Sequence, residues 1–263
     1  MGERAVEEGF VSARALEMVT QVRFPGHLEA FGRPEQVSRQ LEAAIGIGIL
    51  NSGERLPPEA VLAEHLGVSP LTLRQALALL RSKGLVDTRR GRGGGSYVSG
   101  QVHVTNAQIE ERLRVLGTDD LRDLIDLAGS GAGAAARLAA ARADDQDIRR
   151  IGDLARRFAG ASGSGELRRA DSRFHIGLGV AGQSRRLTAL LIQVQAELAP
   201  LSWGDSWEGR QARAADEHGA IIAAMAEGKP EEAEQLTLAH FEEEGILLIN
   251  QHLALLTTES ETV

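Results

Sequence analysis

Three histidines and one aspartate in the C-terminal half of the chain have the residue types and spacing of metal ligands. Asp171 and His175 lie four residues apart in "ADSRFHIGL", so both project from one face of a predicted helix. His218 in "DEHGAII" and His240 in "LAHFEEE" have apolar neighbours that predict two further helices with inward-pointing imidazoles. This N/O set suits a divalent metal ion, zinc first, with nickel or manganese as alternatives. Spacing alone also allows a different interpretation, with one Asp–His ion pair and two hydrogen-bonded core histidines.

A second cluster with chemical potential is basic. Between Arg81 and Arg92 the chain has five Lys/Arg residues and one Asp, although its net charge is −8. A local basic patch on an acidic chain indicates contact with a polyanion. The glycines of "RRGRGGG" let the backbone approach phosphates closely, because glycine tolerates positive φ and has no side chain. For this stretch taken alone, a solvated loop is the alternative.

Helical periodicity and turn signals place the basic cluster in a winged helix-turn-helix. Apolar positions recur at helical spacing from Pro34 to Leu50, and a second helix is predicted from Glu59 to Leu66. Ser69 as N-cap and Pro70 at the first helical position begin a third helix that runs to about Lys83. "LVDT" and "SYVS" flank the glycine-rich turn as the strands of a hairpin. In such a module the third helix enters the major groove. The candidate DNA contacts are therefore Ser69, Thr72, Arg74 and Gln75 on that helix and Arg89, Arg90, Arg92 and Gly93 on the hairpin.

Composition predicts a mainly α-helical chain. Hydrophobic residues make up 43% but aromatic residues only 3%, so alanine and leucine must form most of the core, which favours helix-on-helix packing. After "SGQVHVTN" the pattern stays helical to residue 256, with breaks that allow five or six helices. The sequence predicts two domains. A winged helix-turn-helix with a small β-hairpin wing occupies 34–100, and an all-α helical-bundle effector domain occupies 107–256, with a linker at 101–106 between them. An N-terminal extension at 1–33, with one helix between Arg4 and Val22, and a C-terminal tail at 257–263 flank these domains.

Several classes of protein are disfavoured. The chain has no cysteine, which removes disulfides, thiolate metal sites and thiol nucleophiles. Its acidic N-terminus lacks the apolar core of a signal peptide, and its apolar runs are too short to span a bilayer. We therefore expect a cytoplasmic protein without a membrane partner.

Pro34 to Ser99 resembles the winged helix of GntR-type transcription regulators. The landmarks are "GERLPPEAVLAEHLGVSPLTLRQALALLRSKGLV" followed by "GRGGGSYV". The resemblance implies DNA contacts from the first turns of the third helix, the recognition helix, and from the wing tip. Ala60 and Pro70 stand where the family commonly has arginine, whereas Arg74 is retained, so the operator sequence is expected to differ from the usual one.

Residues 121–254 resemble the all-helical effector domain of the FadR-like branch of that family, the FCD type. Its metal ligands sit in a D-x-x-x-H pair, an E-H pair and a late histidine, and this chain has a matching residue at each position. The resemblance therefore implies a metal site formed by Asp171, His175, His218 and His240.

The first helix of that domain departs from the family pattern. In "DLIDLAGSGAGAAARLAA", Ala128 and Ala132 stand where an arginine and a second glutamate are expected, and Gln183 replaces a frequent asparagine. Alanine cannot clamp a carboxylate in a bidentate fork. Either a small organic acid binds at open metal positions, helped by Arg173 or Arg213, or the ligand is not a carboxylate. Both tryptophans lie in "PLSWGDSWEG", where they cap the pocket or, as we favour, shield a helix end.

These observations predict a ligand-responsive transcription regulator rather than an enzyme. We expect a repressor that binds a palindromic operator on double-stranded DNA as a homodimer, with a small-molecule effector and a metal-containing pocket. A regulator without a response to small acids is the first alternative. A metal-dependent hydrolase is the second, with Glu217 the only adjacent candidate for the general base.

Overall fold

The computed structural model describes residues 11–22, 31–91, 93–207 and 209–260. The chain divides into two compact units, residues 1–102 and 103–263. The division falls inside the segment that the sequence predicts as a linker. Within the described residues, no helix is both long and apolar enough to cross a membrane.

The first unit is a small helical cluster with a β-hairpin. Its elements are α1 Ala13–Gln21, α2 Arg33–Gly46, α3 Glu59–His65, α4 Pro70–Ser82, β1 Val86–Arg89 and β2 Gly95–Val98. The strands are antiparallel, with Val86 opposite Val98 and Arg89 opposite Gly95. The core between α2, α3 and α4 includes the buried residues Leu41, Ile45, Leu62, Leu73, Leu77 and Leu80. The predicted helix-turn-helix with a hairpin wing is confirmed.

Two helices in this unit differ from the prediction by more than one residue at an end. Helix α2 ends at Gly46 instead of Leu50, because the chain turns at Gly48, with φ 73°, and the amides of Ile49 and Leu50 both donate to the carbonyl of Ala44. Ile47 and Leu50 stay buried, which explains why their apolar character imitates a longer helix. Residues 4–10 of the helix predicted between Arg4 and Val22 lie outside the described residues, and α1 begins after the N-cap Ser12.

The second unit is a bundle of seven α-helices within the described residues. They are α5 Asn106–Val115, α6 Thr118–Arg142, α7 Asp145–Ala159, α8 Ser164–Ala181, α9 Arg185–Leu198, α10 Arg210–Ala226 and α11 Pro230–Ser260, with short 3₁₀ turns at Ala199–Leu201 and Asp205–Trp207. The expectation of five or six helices was wrong because the break between α6 and α7 contains neither glycine nor proline. It is made by Asp144, whose side chain caps α7 by accepting from the amide of Asp147 at 2.8 Å. Helix α11 also continues beyond residue 256, into the predicted tail.

Helix α6 packs in the middle of this bundle, and its small residues allow close approach. A Cβ added at Gly129 would lie 3.2 Å from the Cβ of Phe241 on α11, and one at Gly131 would lie 2.9 Å from Leu190 on α9. Ala128 and Ala132 are fully buried. The low-complexity run in α6 is therefore a packing surface. Its glycines lower the intrinsic stability of the helix, but they allow tight packing against α9 and α11.

Candidate functional sites

The four predicted metal ligands converge in the second unit. Asp171 and His175 come from α8, His218 from α10 and His240 from α11, and one potential ligand atom from each lies within 4.8 Å of all the others. Nε2 of His175 is 3.4 Å from Oδ1 of Asp171 and 3.3 Å from Nε2 of His240. Nε2 of His218 is 3.6 Å from Oδ1 of Asp171. We call these four residues the histidine cluster.

Polar atoms of the histidine cluster are buried without hydrogen-bond partners. They include Oδ1 of Asp171, Nδ1 of His175 and both ring nitrogens of His218, and the four residues are at most 4% exposed. Buried polar atoms in folded proteins are normally paired, so such a set needs an explanation. A divalent cation explains it, because neutral imidazole nitrogens and a carboxylate oxygen are the donors that zinc and similar ions prefer. The residues present therefore fit a metal ion, and their convergence favours a cluster over an isolated Asp–His pair.

Aromatic rings enclose the histidine cluster. The ring of Phe174 stacks on His218 with centroids 3.8 Å apart, and the rings of Phe158 and Phe241 contact His218 and His175 respectively. Phe174 lies one position before His175 on α8, and its ring reaches His218 on α10. These rings fix the imidazoles and exclude water from the cluster, which strengthens electrostatic interactions inside it.

A carboxylate behind His240 fixes its orientation. Nδ1 of His240 donates to Oε2 of Glu217 at 2.7 Å, which leaves Nε2 as the lone-pair nitrogen that faces His175. Burial alone would raise the pKa of Glu217, but hydrogen bonds from His240 and Arg210 lower it to about 2. Such an acidic group is a poor general base near neutral pH. The arrangement therefore supports a positioning role and gives no support to the hydrolase alternative.

Two arginines pair with the carboxylate of Glu217, one buried and one exposed. Arg210, 7% exposed, donates from NH2 to Glu217 at 2.6 Å, while its Nε and NH1 have no hydrogen-bond partner. Arg213, predicted as an effector contact, has a 61% exposed side chain and is paired with Glu217 and Glu243. Arg173 is half-buried and lies two residues from both Asp171 and His175 in the sequence. On a helix this offset turns its side chain away from the face that Asp171 and His175 share. Sequence reasoning missed Arg210; its signal was its position eight residues before His218.

The tryptophans belong to the site, so the preference for a helix-end shield was wrong. Nε1 of Trp203 donates to Oδ2 of Asp171 at 3.2 Å, and Trp203 is 3% exposed. Trp207 packs against it and lines a cavity beside Asp171. The turn after α9 folds back over α8 because the buried guanidinium of Arg168 donates to the carbonyls of Ser202 and Trp203.

The cavity beside Asp171 is small and acidic. Its volume is about 10 Å³, room for roughly one water molecule. Its polar lining includes Asp171, Glu244 and Gln195. Burial raises the pKa of Glu244 well above its usual range, and the nearby Asp171 adds to the rise. Sequence reasoning also missed Glu244, although it lies four residues after His240, the same spacing that identified Asp171 and His175.

The protonation states suit metal binding. Burial lowers the pKa of His218 well below its usual value, and the neighbouring His240 and His175 lower it further. Burial also lowers the pKa of His240, although the hydrogen bond to Glu217 opposes the shift. Burial would raise the pKa of Asp171, but His175 beside it brings a net decrease. Neutral imidazoles and an ionised carboxylate are the forms that coordinate metals.

We expect the metal-free protein to lose stability as the pH falls from 7 to 5. The pKa of His218 is lower in the folded than in the unfolded chain, so below an unfolded value of about 6.5 the unfolded state binds more protons. The free energy of unfolding then falls by up to about 1.4 kcal/mol per pH unit for each such group, and His240 acts in the same direction. Urea unfolding of chelator-treated protein at pH 5, 6 and 7 measures this slope. His218→Asn should reduce it, and a flat wild-type profile would contradict buried neutral imidazoles.

In the first unit, the predicted contacts on α4 lie at its exposed N-terminal end. Oγ of Ser69 accepts from the amide of Thr72 at 3.1 Å and lies 2.9 Å from its hydroxyl, so these two residues cap the helix together. Arg74 and Gln75 are exposed, and Nε of Arg74 donates to Glu59 on α3 at 2.9 Å. Leu71, which sequence reasoning missed, is 63% exposed beside them. Its signal was an apolar residue outside the buried stripe of the helix.

The wing presents exposed cations around a tyrosine. The guanidinium of Arg89 lies 4.1 Å from the ring centroid of Tyr97, and Arg90 is exposed at the end of β1. The hydroxyl of Tyr97 donates to the carbonyl of Gly93 at 2.8 Å, where φ is 91°. Arg92 lies outside the described residues. Arg55, also missed, donates from NH2 to the carbonyl of Gly94 and so ties the wing turn to the loop before α3.

Comparison with known proteins identifies both units. Residues 34–95 match the family model of bacterial regulatory proteins of the gntR family, and residues 132–243 match the FCD domain model. The chain is 38% identical over 228 residues to RmpR of Mycobacterium gastri, whose name describes an HTH-type transcriptional regulator; the match covers 85% of this chain and 82% of that protein. It is 29% identical over 201 residues to the HTH-type transcriptional regulator LutR of Bacillus subtilis, covering 73% and 90%. Among solved structures, Streptococcus agalactiae GntR matches with 26% identity and a TM-score of 0.42, covering 81% of this chain and 98% of that one.

Proposed function

Because the chain belongs to the GntR family of DNA-binding transcription regulators and carries an FCD domain, we propose that it is a metal-containing repressor that binds a palindromic operator as a homodimer. The convergence of four buried ligand groups in the second unit, several of whose polar atoms have no hydrogen-bond partner, carries the metal part of this proposal. The family consists of transcription regulators rather than enzymes, and we propose no catalytic activity. A cytoplasmic location follows from contact with DNA.

The DNA contacts are proposed on the exposed end of α4 and on the wing. Arg74 reaches a base edge, because a guanidinium can donate to guanine in bidentate fashion, and Gln75 is placed beside it. Ser69 and Thr72 contact backbone phosphates at the helix N-terminus, where the helix dipole favours anions. The wing adds phosphate contacts from Arg89, Arg90, Arg92 and the backbone at Gly93.

The metal ion is proposed to be held by Asp171, His175, His218 and His240. Zinc is the first choice, with nickel or manganese as alternatives, since the N/O donors present do not select one ion. The bound ion supplies an electrophilic centre to which an effector with oxygen donors can attach. Glu217 holds His240 in the tautomer whose Nε2 faces the ion, and Trp203 holds Asp171 from the other side.

A small organic acid is the proposed effector class, with Arg173 and Arg213 as the cations that sequence reasoning assigned to it. Arg210 is the stronger candidate, because its Nε and NH1 are buried without partners next to the histidine cluster. A second candidate function is a regulator without a response to small acids. Two observations favour it: Ala128 and Ala132 are fully buried, and the cavity beside Asp171 holds about 10 Å³.

Selection of bound duplexes from a random pool by the full-length protein tests the DNA part. We expect an inverted repeat whose half-sites lie about 10–10.5 base pairs apart, or a multiple of that spacing, because two protomers related by a twofold axis dock on one side of the duplex. Sedimentation of the complex should give two protomers per site. An asymmetric site with one protomer would contradict the homodimer. A reporter placed behind the selected site should be less active when the protein is present; increased activity would make it an activator.

A further inference from the structure

Glu244 is a buried carboxylate that faces the histidine cluster. It lies one turn after His240 on α11 and is 7% exposed. Its Oε1 is 3.4 Å from Nε2 of His240, the lone-pair nitrogen, and has no hydrogen-bond partner. It lines the same cavity as Asp171. The carboxylate is therefore aimed at the point where the proposed metal ligands meet.

The nearby arginines form their ion pairs with carboxylates other than Glu244. Arg210 is paired with Glu217 at 2.6 Å, and Arg213 is paired with Glu217 and Glu243. The described residues that line the cavity include two acids, Asp171 and Glu244, and no lysine or arginine. A buried carboxylate without a partner is costly, so this arrangement is suited to a cation and repels a second anion.

We propose that Glu244 is a fifth protein ligand of the bound metal ion and takes the place that an exogenous carboxylate would otherwise fill. This inference rests on the proposed metal function. The charges support it: with a divalent ion bound and both carboxyl groups ionised, Asp171 and Glu244 together carry −2 and balance the ion, whereas Asp171 alone would leave a net charge of +1. Under this inference the second candidate function applies in place of the small-acid effector: the site responds to the metal ion itself, and a small acid is excluded while Glu244 is in place.

Cobalt(II) tests the inference, because its visible absorption reports changes in its ligands. The proteins compared are full-length wild type, Glu244→Ala, Glu244→Gln and the control Glu242→Gln, in which an exposed glutamate of the same segment loses its charge. Affinity is measured by competition with a chromophoric chelator, and formate is then titrated into the cobalt-loaded proteins. Thermal melting followed by circular dichroism shows whether each variant folds. If Glu244→Ala does not fold, the cobalt affinity and the formate response of Glu244→Gln test the inference.

We expect both Glu244 variants to lose at least ~10–100-fold in cobalt affinity, the range reached when even a supporting group of a metal site is removed, while Glu242→Gln keeps the wild-type affinity. Formate should leave the wild-type spectrum unchanged and should shift the spectrum of the Glu244 variants in a saturable way. If all four proteins bind cobalt equally and formate shifts every spectrum alike, Glu244 is not a ligand, although the four-residue metal site stands. If the wild type binds no cobalt, the proposed metal function fails and this inference fails with it.

Discussion

We expect that replacing His218 with alanine removes the proposed metal ion and makes the thermal stability of the protein insensitive to added zinc. His218 is fully buried, and its two ring nitrogens have no hydrogen-bond partner in the protein. A ligand that binds only the folded state stabilises it by about 2.7 kcal/mol at a free concentration of 100 Kd. The wild-type melting temperature should therefore rise with zinc and fall with a chelator, whereas that of His218→Ala should do neither. Elemental analysis of the purified proteins gives the metal content directly.

His252→Ala is the matched control for this experiment. His252 is 1% exposed on α11, but its Nδ1 donates to the carbonyl of Leu113 at 2.9 Å and its Nε2 lies 3.0 Å from the hydroxyl of Thr118. Because both ring nitrogens are satisfied by protein groups, this histidine has a structural role. We expect the control to be less stable than the wild type and still to respond to zinc. Unchanged metal content in His218→Ala would refute the ligand assignment.

Replacing Arg74 with alanine lowers the affinity for the selected operator by about 1–3 kcal/mol, or roughly 5–150-fold, and relaxes base preference at one position of each half-site. The side chains of Arg74 and Glu59 are 63% and 42% exposed, so the loss of their ion pair changes the stability of the fold little. Fluorescence anisotropy with the operator and with duplexes mutated at single positions measures both effects. An equal loss on every duplex would mean that Arg74 contacts phosphate and reads no base.

Two further variants complete that comparison. Arg90→Ala removes an exposed wing cation and should weaken binding to all duplexes alike, while reducing the slope of log affinity against log salt by about 1. Arg137→Ala removes an arginine of the second unit that pairs with Glu231, and it should change neither affinity nor slope. A wild-type affinity that ignores ionic strength would overturn the phosphate contacts of the wing.

The winged helix was predictable because its signals are local. The serine cap at position 69, the proline after it and the glycine-rich turn each act within a few residues, and the structure places them as expected. The break between α6 and α7 escaped prediction because a single aspartate cap made it. Alanine and leucine on both sides continue the same helical pattern, so periodicity alone could not locate it.

The proposed metal site was predictable in its residue types but not in its surroundings. In "HFEEE" three adjacent glutamates have different environments: Glu242 is exposed, Glu243 pairs with Arg213, and Glu244 is buried beside His240. Helical spacing from His240 would have been enough to select Glu244, although sequence reasoning missed it. It was not enough to show that Arg210 and Trp203 reach the site, because both approach from segments whose position depends on packing.

By itself, the sequence determined where most of the helices begin and end, which helix faces are apolar, and which side chains were available to coordinate a metal or contact phosphate. These properties depend on neighbours within one or two turns. Tertiary structure alone decided that His175 and His240, 65 residues apart, bring their Nε2 atoms within 3.3 Å. It also decided that both ring nitrogens of His218 are buried beside them without hydrogen-bond partners, which prepares the cluster for a cation. The rotation and separation of packed helices set such distances, and they arise from the many small contacts of α6 with its neighbours, which no short stretch of sequence contains.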